Sequence, residues 1–359
     1  MRFPEFHGEW EKCKLGDIAE FSSARVSSAK LDCKNYVSTE NMLQDFQGVI
    51  VAKSVPNETN VISFTCGDIL ISNIRPYLKK VWKATFDGGC SSDVFVLHAT
   101  DTVAKDYLHY AVANDKFINY VMSGAKGVKM PRGDKNQMRT YQLSLPSIQE
   151  QHKIAKILTL LDERIATQSK LIEKLESLIK GLRVSLMQIE NGNIVHLGKI
   201  ARIYQPQTIS STELTEDGFL VYGANGIIGK YKQYNHKTEQ ICITCRGNTC
   251  GMVNYTKPMS WITGNAMVIN TDEHQNKVCK RYLYHYLSAY NFNSIISGSG
   301  QPQIVRTPLE KLEITLPSIF EQEQKAILLD RIQTKIEISN RVLSLYQEQK
   351  QYLLRQMFI

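Results

Sequence analysis

One apolar pattern with a 3.5-residue period occurs twice in this chain of 359 residues. In the first copy, apolar residues recur in steps of four and three from Ile154 to Leu186, and only Gln168 interrupts them. This period predicts a long helix that packs along a narrow seam against a partner helix, as in a coiled coil. The predicted seam residues are Ile154, Leu158, Leu161, Ile165, Ile172, Leu175, Ile179 and Leu182.

The pattern returns 171 residues further along, with lysines at two of its seam positions. The same seven-residue string precedes both copies: Leu-Pro-Ser-Ile-x-Glu-Gln at 145–151 and at 316–322, here named the LPSI-x-EQ motif. Two unrelated amphipathic helices would not share such a string, so the chain contains an internal repeat. The predicted seam residues of the second copy are Leu329, Ile332, Ile336, Leu343 and Leu353.

Each helix has an apolar stripe that it cannot bury alone, so we expect the two helices to pack on each other. A helix from Ile154 to Leu186 is roughly 50 Å long, whereas the segment between the helices is a domain with a radius of gyration of about 13–14 Å. An antiparallel pair with a globular domain at each end avoids a long return of the chain. The polar seam residues Gln168 and Ser339 would form a register-fixing layer or a solvated defect.

Each globular domain begins with a similar string, Leu-Gly-x-Ile-Ala, at residues 15–19 and 197–201. The first domain is eleven residues longer between this string and its LPSI-x-EQ motif. We therefore predict an α+β fold: two similar mixed α/β domains, separated by two long helices packed as an antiparallel coiled coil, with a pseudo-twofold internal repeat. The predicted boundaries are 1–146 and 191–317 for the two domains, and 147–190 and 318–359 for the two helices.

Within the domains, short apolar runs bounded by turn residues predict buried strands, and longer amphipathic patches predict helices. Each domain also has a glycine-rich polar loop before its long helix, at 123–132 and 297–303. The predicted strands lie at 68–72, 94–97, 240–244 and 266–269, and the predicted helical patches at 105–122 and 277–296.

The composition is that of a folded protein with a moderate basic excess, since the formal net charge is +8 and charged residues make up 22%. Basic chains often bind polyanions, although charge alone is weak support. The eight cysteines are irregularly spaced, and neither a signal peptide nor a membrane-spanning run is recognisable, which predicts reduced thiols and a cytoplasmic location. Cys242 and Cys245, with Cys250 or Cys279, suggest a zinc site, but no second pair exists, which favours small buried residues and no metal.

Several enzyme motifs are nearly present but incomplete. The stretch 223–230 resembles a phosphate-binding loop, yet its outer glycines are one position too far apart and Tyr231 replaces the required Ser or Thr. The Asn/Asp-Pro-Pro-aromatic signature of DNA amino-methyltransferases is absent. Nuclease-like tripeptides at 32–34 and 323–325 are expected by chance. We predict no catalytic residues.

Polar and basic residues on glycine-rich turns form one group in each domain. Arg and Lys can make bidentate contacts to guanine, and Asn and Gln suit adenine. Any one of them is better explained as a solvated loop residue, but two groups on a repeated frame predict DNA contacts. The first group is Asn73, Arg75, Lys79, Lys80, Lys126, Lys129 and Arg132, with Lys135, Asn136 and Gln137. The second group is Asn225, Arg246, Asn248, Asn265, Gln301, Gln303 and Arg306.

These motifs resemble those of the specificity subunits of Type I restriction–modification systems. The resemblance covers nearly the whole chain and rests on the two LPSI-x-EQ helices, the repeated domain starts and the stretch 222–229. Arg246-Gly247-Asn248, followed by Cys250-Gly251, also resembles a recurrent piece of target-recognition domains.

The resemblance implies a non-catalytic DNA-recognition subunit whose two domains each read one half of a bipartite target in double-stranded DNA. It implies that the helices set the unread spacer and dock two methyltransferase subunits, which supply the S-adenosylmethionine chemistry. Restriction subunits join through the complex, and no membrane is involved. This chain would then need no cofactor of its own.

Two alternatives belong to other classes of protein. A stand-alone DNA-modifying enzyme is disfavoured by the incomplete catalytic motifs. A coiled-coil scaffold without a DNA role leaves the paired polar loops unexplained.

Overall fold

The computed structural model describes residues 2–189, 192–298 and 300–358. The chain forms two compact units, each with one globular part and a section of both long helices. Unit 1 comprises Met1–Gln168 and Val342–Ile359, and unit 2 comprises Ser169–Arg341. The domain boundaries predicted from the sequence stay a prediction, and the one between residues 190 and 191 lies outside the described residues.

Within its described residues, unit 1 contains ten strands and four short α-helices before its long helix. The strands are β1 (Glu11–Lys14), β2 (Ala19–Phe21), β3 (Arg25–Ser27), β4 (Tyr36–Val37), β5 (Asn60–Phe64), β6 (Ile69–Ser72), β7 (Val81–Lys83), β8 (Gly88–Cys90), β9 (Val94–Ala99) and β10 (Gln142–Leu145). The helices are α1 (Leu15–Ile18), α2 (Lys105–Val112), α3 (Asp115–Ser123), α4 (Lys135–Arg139) and the long helix α5 (Ile148–Met187), which continues into unit 2.

The strands of unit 1 form two four-stranded sheets and a two-stranded ribbon. The main sheet has the order β2-β9-β6-β7 and is antiparallel throughout. The second sheet has the order β3-β5-β8-β4, in which only β4 and β8 are parallel. One face of the main sheet packs on α2 and α3 in a core that includes Tyr107 and Phe117, both fully buried. Burial of these aromatic side chains stabilises the packing of the two helices on the sheet.

Unit 2 repeats this plan with fewer strands. Its strands are β11 (Asn193–His196), β12 (Arg202–Tyr204), β13 (Phe219–Gly223), β14 (Gly226–Tyr231), β15 (Ile241–Thr244), β16 (Val253–Tyr255), β17 (Trp261–Ile262), β18 (Ala266–Asn270) and β19 (Glu313–Leu316). Its helices are α6 (Lys280–Ala289), α7 (Arg306–Glu310) and the long helix α8 (Ile319–Met357), which continues into unit 1. The main sheet β12-β18-β15-β16 is antiparallel, and the second sheet has the order β14-β13-β17.

The repeated Leu-Gly-x-Ile-Ala strings occupy equivalent positions in the two units. Leu15 and Leu197 are buried, and their backbone N–H groups donate to Tyr141 and Leu312 respectively, each at 2.8 Å. A Cβ on Gly16 would lie 3.2 Å from Arg139 of α4, and a Cβ on Gly198 would lie 3.0 Å from Glu310 of α7. A helix lies so close to this position in each unit that a larger residue would require the neighbouring helix to shift by a few tenths of an ångström, which favours glycine.

The glutamine of the LPSI-x-EQ motif makes the same buried contacts twice. In unit 1, Gln151 Oε1 accepts from the backbone N–H of Ala104, just before α2, at 2.8 Å. Its Nε2 donates to the carbonyl of Pro146 at 2.9 Å. In unit 2, Gln322 Oε1 accepts from Cys279 N–H, just before α6, at 2.9 Å, and Nε2 donates to Pro317 at 3.0 Å. The motif therefore joins the first turn of each long helix to the helix that covers the main sheet.

The two long helices are antiparallel. In unit 1, Leu354 and Met357 of α8 share a core with Ile154 and Leu158 of α5. In unit 2, the opposite ends of the helices meet, and Ile179 near the end of α5 shares a core with residues near the start of α8. These contacts, with the mixed α/β units, confirm the predicted fold class. All the predicted seam residues are buried or half-buried, as are Gln168 and Ser339.

The four predicted strands are present within one or two residues, as β6, β9, β15 and β18. The two predicted helical patches were wrong in their extent. The first is two helices, α2 and α3, because the Asn114 side chain accepts from Phe117 N–H at 3.0 Å and starts a new helix. The second ends at Ala289, and Asn291 then starts a separate 3-10 turn. No helix among the described residues is long and apolar enough to cross a membrane.

Candidate nucleic-acid interface

Two loops of unit 1 meet at one edge of the main sheet, and we name them loop pair 1 (residues 73–80 and 123–134). Arg75 N–H donates to the carbonyl of Pro131 at 2.8 Å, and Gly133 N–H donates to that of Asn73 at 3.0 Å. Ile74 and Arg132 form an isolated antiparallel bridge between the loops. These backbone bonds bring the predicted residues of both loops of the first domain together on one surface.

Most cations of loop pair 1 contact acidic or carbonyl oxygens of unit 1. Lys79 pairs with Asp115 at 2.7 Å and Arg132 with Asp93 at 2.9 Å. Lys126 lies 3.4 Å from Asp134, and Lys80 Nζ donates to the carbonyl of Thr39 at 2.6 Å. Such exposed ion pairs contribute little to stability, so their cations can exchange a carboxylate for a phosphate at small cost.

Two other cations of loop pair 1 are exposed and make no ion pair within the part of the chain that the structure describes. These are Arg75 and Lys129. Burial lowers the pKa of Lys80, and the nearby Arg75 charge lowers it further. The pKa of Asp134 is lowered because its carboxylate accepts the backbone N–H groups of Gln137 and Asn136 at the start of α4.

Three neighbouring residues considered in the sequence have different roles. The Gln137 amide donates to the carbonyl of Tyr120 at 2.6 Å and is half-buried, so it stabilises the loop. The Lys135 ammonium lies 4.8 Å from the centre of the Phe95 ring, in a cation–π contact. Asn136 is exposed at the start of α4.

Unit 2 has the equivalent pair of loops, named loop pair 2 (residues 245–252 and 296–304). Gly247 N–H donates to the carbonyl of Pro302 at 3.0 Å, and Ile304 N–H donates to that of Cys245 at 3.0 Å. Arg246 and Gln303 form the isolated bridge. Ser299, in the predicted loop 297–303, lies outside the described residues. The backbone contacts are those of loop pair 1.

A third segment reaches loop pair 2 from the second sheet. The turn between β13 and β14 places Asn225 against Thr249, whose hydroxyl donates to the Asn225 side chain. Asn248, Asn265 and Gln301 are exposed beside it. Arg306 begins α7 and pairs with Glu310 at 2.7 Å, four residues later. Asn225 and Arg306 thus already have partners on the same surface.

The sequence analysis matched the glycine-rich loops of the two domains but missed their residue-by-residue correspondence, although a signal for it was present. Gly127 and Gly298 both have positive φ, at 98° and 96°, and are 171 residues apart. Pro131 and Pro302, which accept the equivalent backbone bonds, have the same separation. The offset of 171 residues between the two long helices therefore also relates the glycine-rich loops that precede them. Applying this offset to the loops would have aligned the two surfaces from the sequence alone.

The chemistry of the loop pairs suits a polyanion that presents hydrogen-bonding edges. Loop pair 1 is rich in cations, and loop pair 2 is rich in side-chain amides. Cys242 and Cys245 are buried, and burial raises the pKa of Cys242 to about 12. Among the described residues, no group of three or more His, Cys, Asp or Glu side chains is placed to hold a metal ion.

A repeated α+β unit with loop pairs of this kind, each followed by a long helix, defines a class of two-domain DNA-binding subunits. The family described as "Type I restriction modification DNA specificity domain" matches residues 7–177 and 190–345. The chain belongs to this family and is a DNA-recognition subunit of the Type I restriction–modification class.

Individual relatives of the chain are specificity subunits of Type I restriction enzymes. The chain is 32% identical to the EcoprrI specificity subunit of Escherichia coli over 143 residues, which are 38% of this chain and 35% of that one. It is 23% identical to the MjaVIII specificity subunit of Methanocaldococcus jannaschii over 94% of this chain and 91% of that one. The crystal structure of the Type I S subunit from M. genitalium has the same fold, with a TM-score of 0.72, 15% identity and coverage of 100% and 99%.

Proposed function

We propose that each loop pair reads one half of a bipartite DNA target and that the chain itself catalyses no reaction. One observation carries this proposal: the two loop pairs share their backbone contacts but not their side chains. Ile74 corresponds to Arg246, and Arg132 corresponds to Gln303. A fixed frame with exchangeable side chains is what two readers of different sequences require, because base contacts specify and backbone contacts position.

The proposed contacts differ between the loop pairs. In loop pair 1, Arg75 and Lys129 are exposed cations suited to phosphates or to guanine. In loop pair 2, Asn248, Asn265 and Gln301 are exposed amides suited to adenine. The candidates that already have an internal partner exchange it for DNA when the complex forms; these are Lys79, Lys80, Lys126, Arg132, Asn225 and Arg306.

The long helices would dock the partner subunits and fix the spacer between the half-sites. Large apolar side chains remain exposed on α8 at heptad spacing, at Ile338, Leu345 and Tyr352. On α5, Leu171 and Leu178 are exposed seven residues apart. A second apolar stripe besides the seam is expected where another helical protein packs. The proposed partners are two methyltransferase subunits, which bind S-adenosylmethionine, and restriction subunits that join through the complex in the cytoplasm.

The test of base reading is the double variant Gln301→Ala/Gln303→Ala. Methylation-site sequencing of the assembled complex should show relaxed recognition of one half-site only, by about 1–3 kcal/mol per lost base contact. Gln275→Ala, an exposed glutamine of unit 2 outside loop pair 2, is the control. Equal weakening on specific and random DNA would mean that these glutamines do not read bases.

The non-catalytic role has a separate test. The purified chain with S-adenosylmethionine should transfer no methyl group to DNA, and adding the methyltransferase subunits should produce methylation at one bipartite sequence. Methyl transfer by the partner-free chain would contradict the proposed division of labour.

A further inference from the structure

The extra length of the first domain is concentrated in one segment. Between the first and second strands of the main sheet in chain order, unit 1 has the 47 residues 22–68 and unit 2 has the 36 residues 205–240. This difference equals the eleven additional residues of the first domain. The segment contributes three of the four strands of the second sheet in unit 1 and two of the three in unit 2. In unit 1 it also forms a tight hairpin, which we name the insert hairpin (residues 42–49).

The insert hairpin is fixed against loop pair 1. At its tip, Asp45 N–H donates to the carbonyl of Leu78 at 3.1 Å, and Phe46 N–H donates to that of Lys79 at 2.9 Å. Six non-glycine residues in the described chain have positive φ, and four of them meet here: Asp45, Phe46, Arg75 and Lys79. Positive φ costs energy for such residues and clusters at functional sites. The hairpin is therefore a rigid part of the proposed reading surface.

Glu40 lies beside the insert hairpin, next to the cations of loop pair 1. Its neighbour Thr39 accepts the hydrogen bond from Lys80 Nζ at 2.6 Å. The charges of both Arg75 and Glu40 act on the Lys80 ammonium and shift the Lys80 pKa in opposite directions. The Glu40 carboxylate is exposed and makes no hydrogen bond or ion pair within the described residues; only its backbone N–H is bonded, to the Ser38 hydroxyl at 3.3 Å. It is an unpaired carboxylate on a surface that otherwise attracts phosphate.

Glu40 lines a groove of about 320 Å³ together with Ile50 and Val51. The wall of this groove is held by Asn41, whose Nδ2 donates to the carbonyls of Tyr36 at 3.1 Å and Ile50 at 2.8 Å. Ile50 and Val51 are 54% and 64% exposed although they are adjacent and aliphatic. A fixed groove with an acceptor and two free aliphatic side chains is suited to a small polar edge beside a methyl group.

The corresponding segment of unit 2 has the same combination of side chains. Ile227 and Ile228 are adjacent and are 55% and 46% exposed. They follow Asn225, whose side chain contacts Thr249 of loop pair 2. In each unit, the segment before the second main-sheet strand thus has an exposed aliphatic pair close in sequence to a polar side chain that lies next to the loop pair, Glu40 beside Lys80 and Asn225 against Thr249. The repetition argues for a shared use of these pairs.

We propose that Glu40, Ile50 and Val51 form a base-reading site for the first half of the target. The carboxylate accepts a hydrogen bond from the exocyclic amino group of cytosine or adenine, and the aliphatic pair contacts the methyl group of an adjacent thymine. The proposal rests on the proposed function of loop pair 1. A carboxylate repels phosphates, but Glu and Asp accept from the cytosine amino group in the major groove, where aliphatic side chains contact the thymine methyl.

The first test uses the wild-type complex with its methyltransferase subunits and DNA carrying uracil, which lacks the methyl group, in place of single thymines. At one position of the first half-site, uracil should weaken binding about five- to tenfold, as expected for one lost specific contact. In the variant Val51→Ala/Ile50→Ala, thymine and uracil at that position should bind nearly alike. An unchanged thymine preference in the variant would overturn the role of the aliphatic pair.

The second test compares Glu40→Gln with Glu11→Gln, an exposed glutamate on the ribbon strand β1. Methylation-site sequencing should show altered base preference at one position of the first half-site for Glu40→Gln and the wild-type motif for Glu11→Gln. The wild-type motif in both variants would disprove the role of Glu40. Because both variants remove one negative charge, a merely electrostatic effect would strengthen binding to all DNA without changing the motif, and this outcome also counts against the proposal.

Failure of this inference is distinguishable from failure of the proposed function. If the wild-type complex methylates a bipartite sequence but shows no uracil effect and no Glu40 effect in either half-site, only the site at Glu40 is wrong. If the complex with wild-type chain shows no sequence preference, the proposed function itself is wrong. A thermal unfolding curve for each variant establishes that loss of binding is not loss of folding.

Discussion

The two copies of the LPSI-x-EQ motif have the same residues but only partly the same environment. Gln151 and Gln322 make equivalent buried hydrogen bonds, to the backbone before α2 and before α6. The preceding glutamates differ. Glu150 is 0% exposed, and its carboxylate accepts from Arg2 at 3.0 Å and from the indole N–H of Trp10 at 3.2 Å. Identical strings therefore need not have identical roles, since each role is set by what packs against the string.

Glu321 lies at the surface of unit 2 and acts on its own helix. Its carboxylate accepts from the backbone N–H of Ser318 at 3.1 Å and from the Ser318 hydroxyl at 2.9 Å. The Glu321 backbone N–H donates in return to the Ser318 hydroxyl at 3.3 Å, which completes a capping box. The hydrogen bonds that the carboxylate accepts lower the pKa of Glu321. In unit 1, the N-terminal segment with Arg2 and Trp10 covers the equivalent glutamate. Glu150 is therefore buried and accepts hydrogen bonds from that segment, whereas Glu321 caps its helix at the surface.

The largest effect should come from the glutamine that the two copies use alike. Gln151→Ala and Gln322→Ala each leave a buried N–H and carbonyl without partners, so we expect each to lower the free energy of unfolding by about 3 kcal/mol. Gln149→Ala and Gln324→Ala, at exposed helix positions nearby, are the matched controls. Chemical denaturation of the purified chain measures all four. An effect in only one copy would break the equivalence of the two motifs.

The repeat and the fold class were predictable because they depend on local strings with a fixed period. The helix break at Asn114 was not, since it depends on one capping side chain within an amphipathic patch. At the candidate interface, the sequence identified polar loop residues but not which of them already have partners, such as Lys79 with Asp115. Glu40 was not among the sequence candidates because an isolated acidic residue forms no recognisable pattern. Its proposed role follows only from its position beside Lys80 and the groove. Contacts between distant segments decide such roles, and these are not encoded in local spacing.

A smaller and unequal effect should come from the two glutamates. Glu150→Ala removes charge-assisted hydrogen bonds from a buried site and should lower the free energy of unfolding by about 1.5–3 kcal/mol. Glu321→Ala removes only an exposed cap, so its effect should be clearly smaller. The two variants are compared by the same denaturation experiment. Equal losses would show that the burial of Glu150 by Arg2 and Trp10 does not distinguish the copies.

The helices that Gln151 and Gln322 contact, α2 and α6, also differ from each other at one equivalent position. Six residues after Ala104, the Tyr110 hydroxyl donates to Asp162 of α5 at 2.8 Å. Six residues after Cys279, His285 is fully buried, and its Nε2 lies 2.9 Å from Asp330 of α8. Arg183 of α5 donates to the other ring nitrogen, Nδ1, at 3.1 Å. An imidazole that accepts from arginine at Nδ1 and donates to aspartate at Nε2 is neutral.

The smallest effect should therefore be a pH dependence of the unfolding free energy, to which His285 of unit 2 contributes and the equivalent Tyr110 of unit 1 does not. Burial lowers the pKa of His285 below its ordinary value of 6.5; the bond to Asp330 opposes this, whereas the charges of Arg183 and Arg281 add to it. Since the unfolded chain binds this proton more readily, the contribution of His285 is complete above about pH 6.5 and is lost as the pH falls towards its folded pKa. Tyr110 has no titration in this range, because burial raises its pKa well above the usual value.

The test compares His285→Gln with Tyr110→Phe. The glutamine amide can still donate to Asp330 but does not titrate, so His285→Gln should reduce the loss of unfolding free energy between pH 7.5 and 5.5. Tyr110→Phe should leave the pH dependence of the unfolding free energy unchanged. His109 and His236, whose pKa values burial lowers to about 4, are present in both variants and cancel in the comparison. Parallel pH profiles for wild type and His285→Gln would mean that His285 is as easily protonated in the folded chain as in the unfolded one.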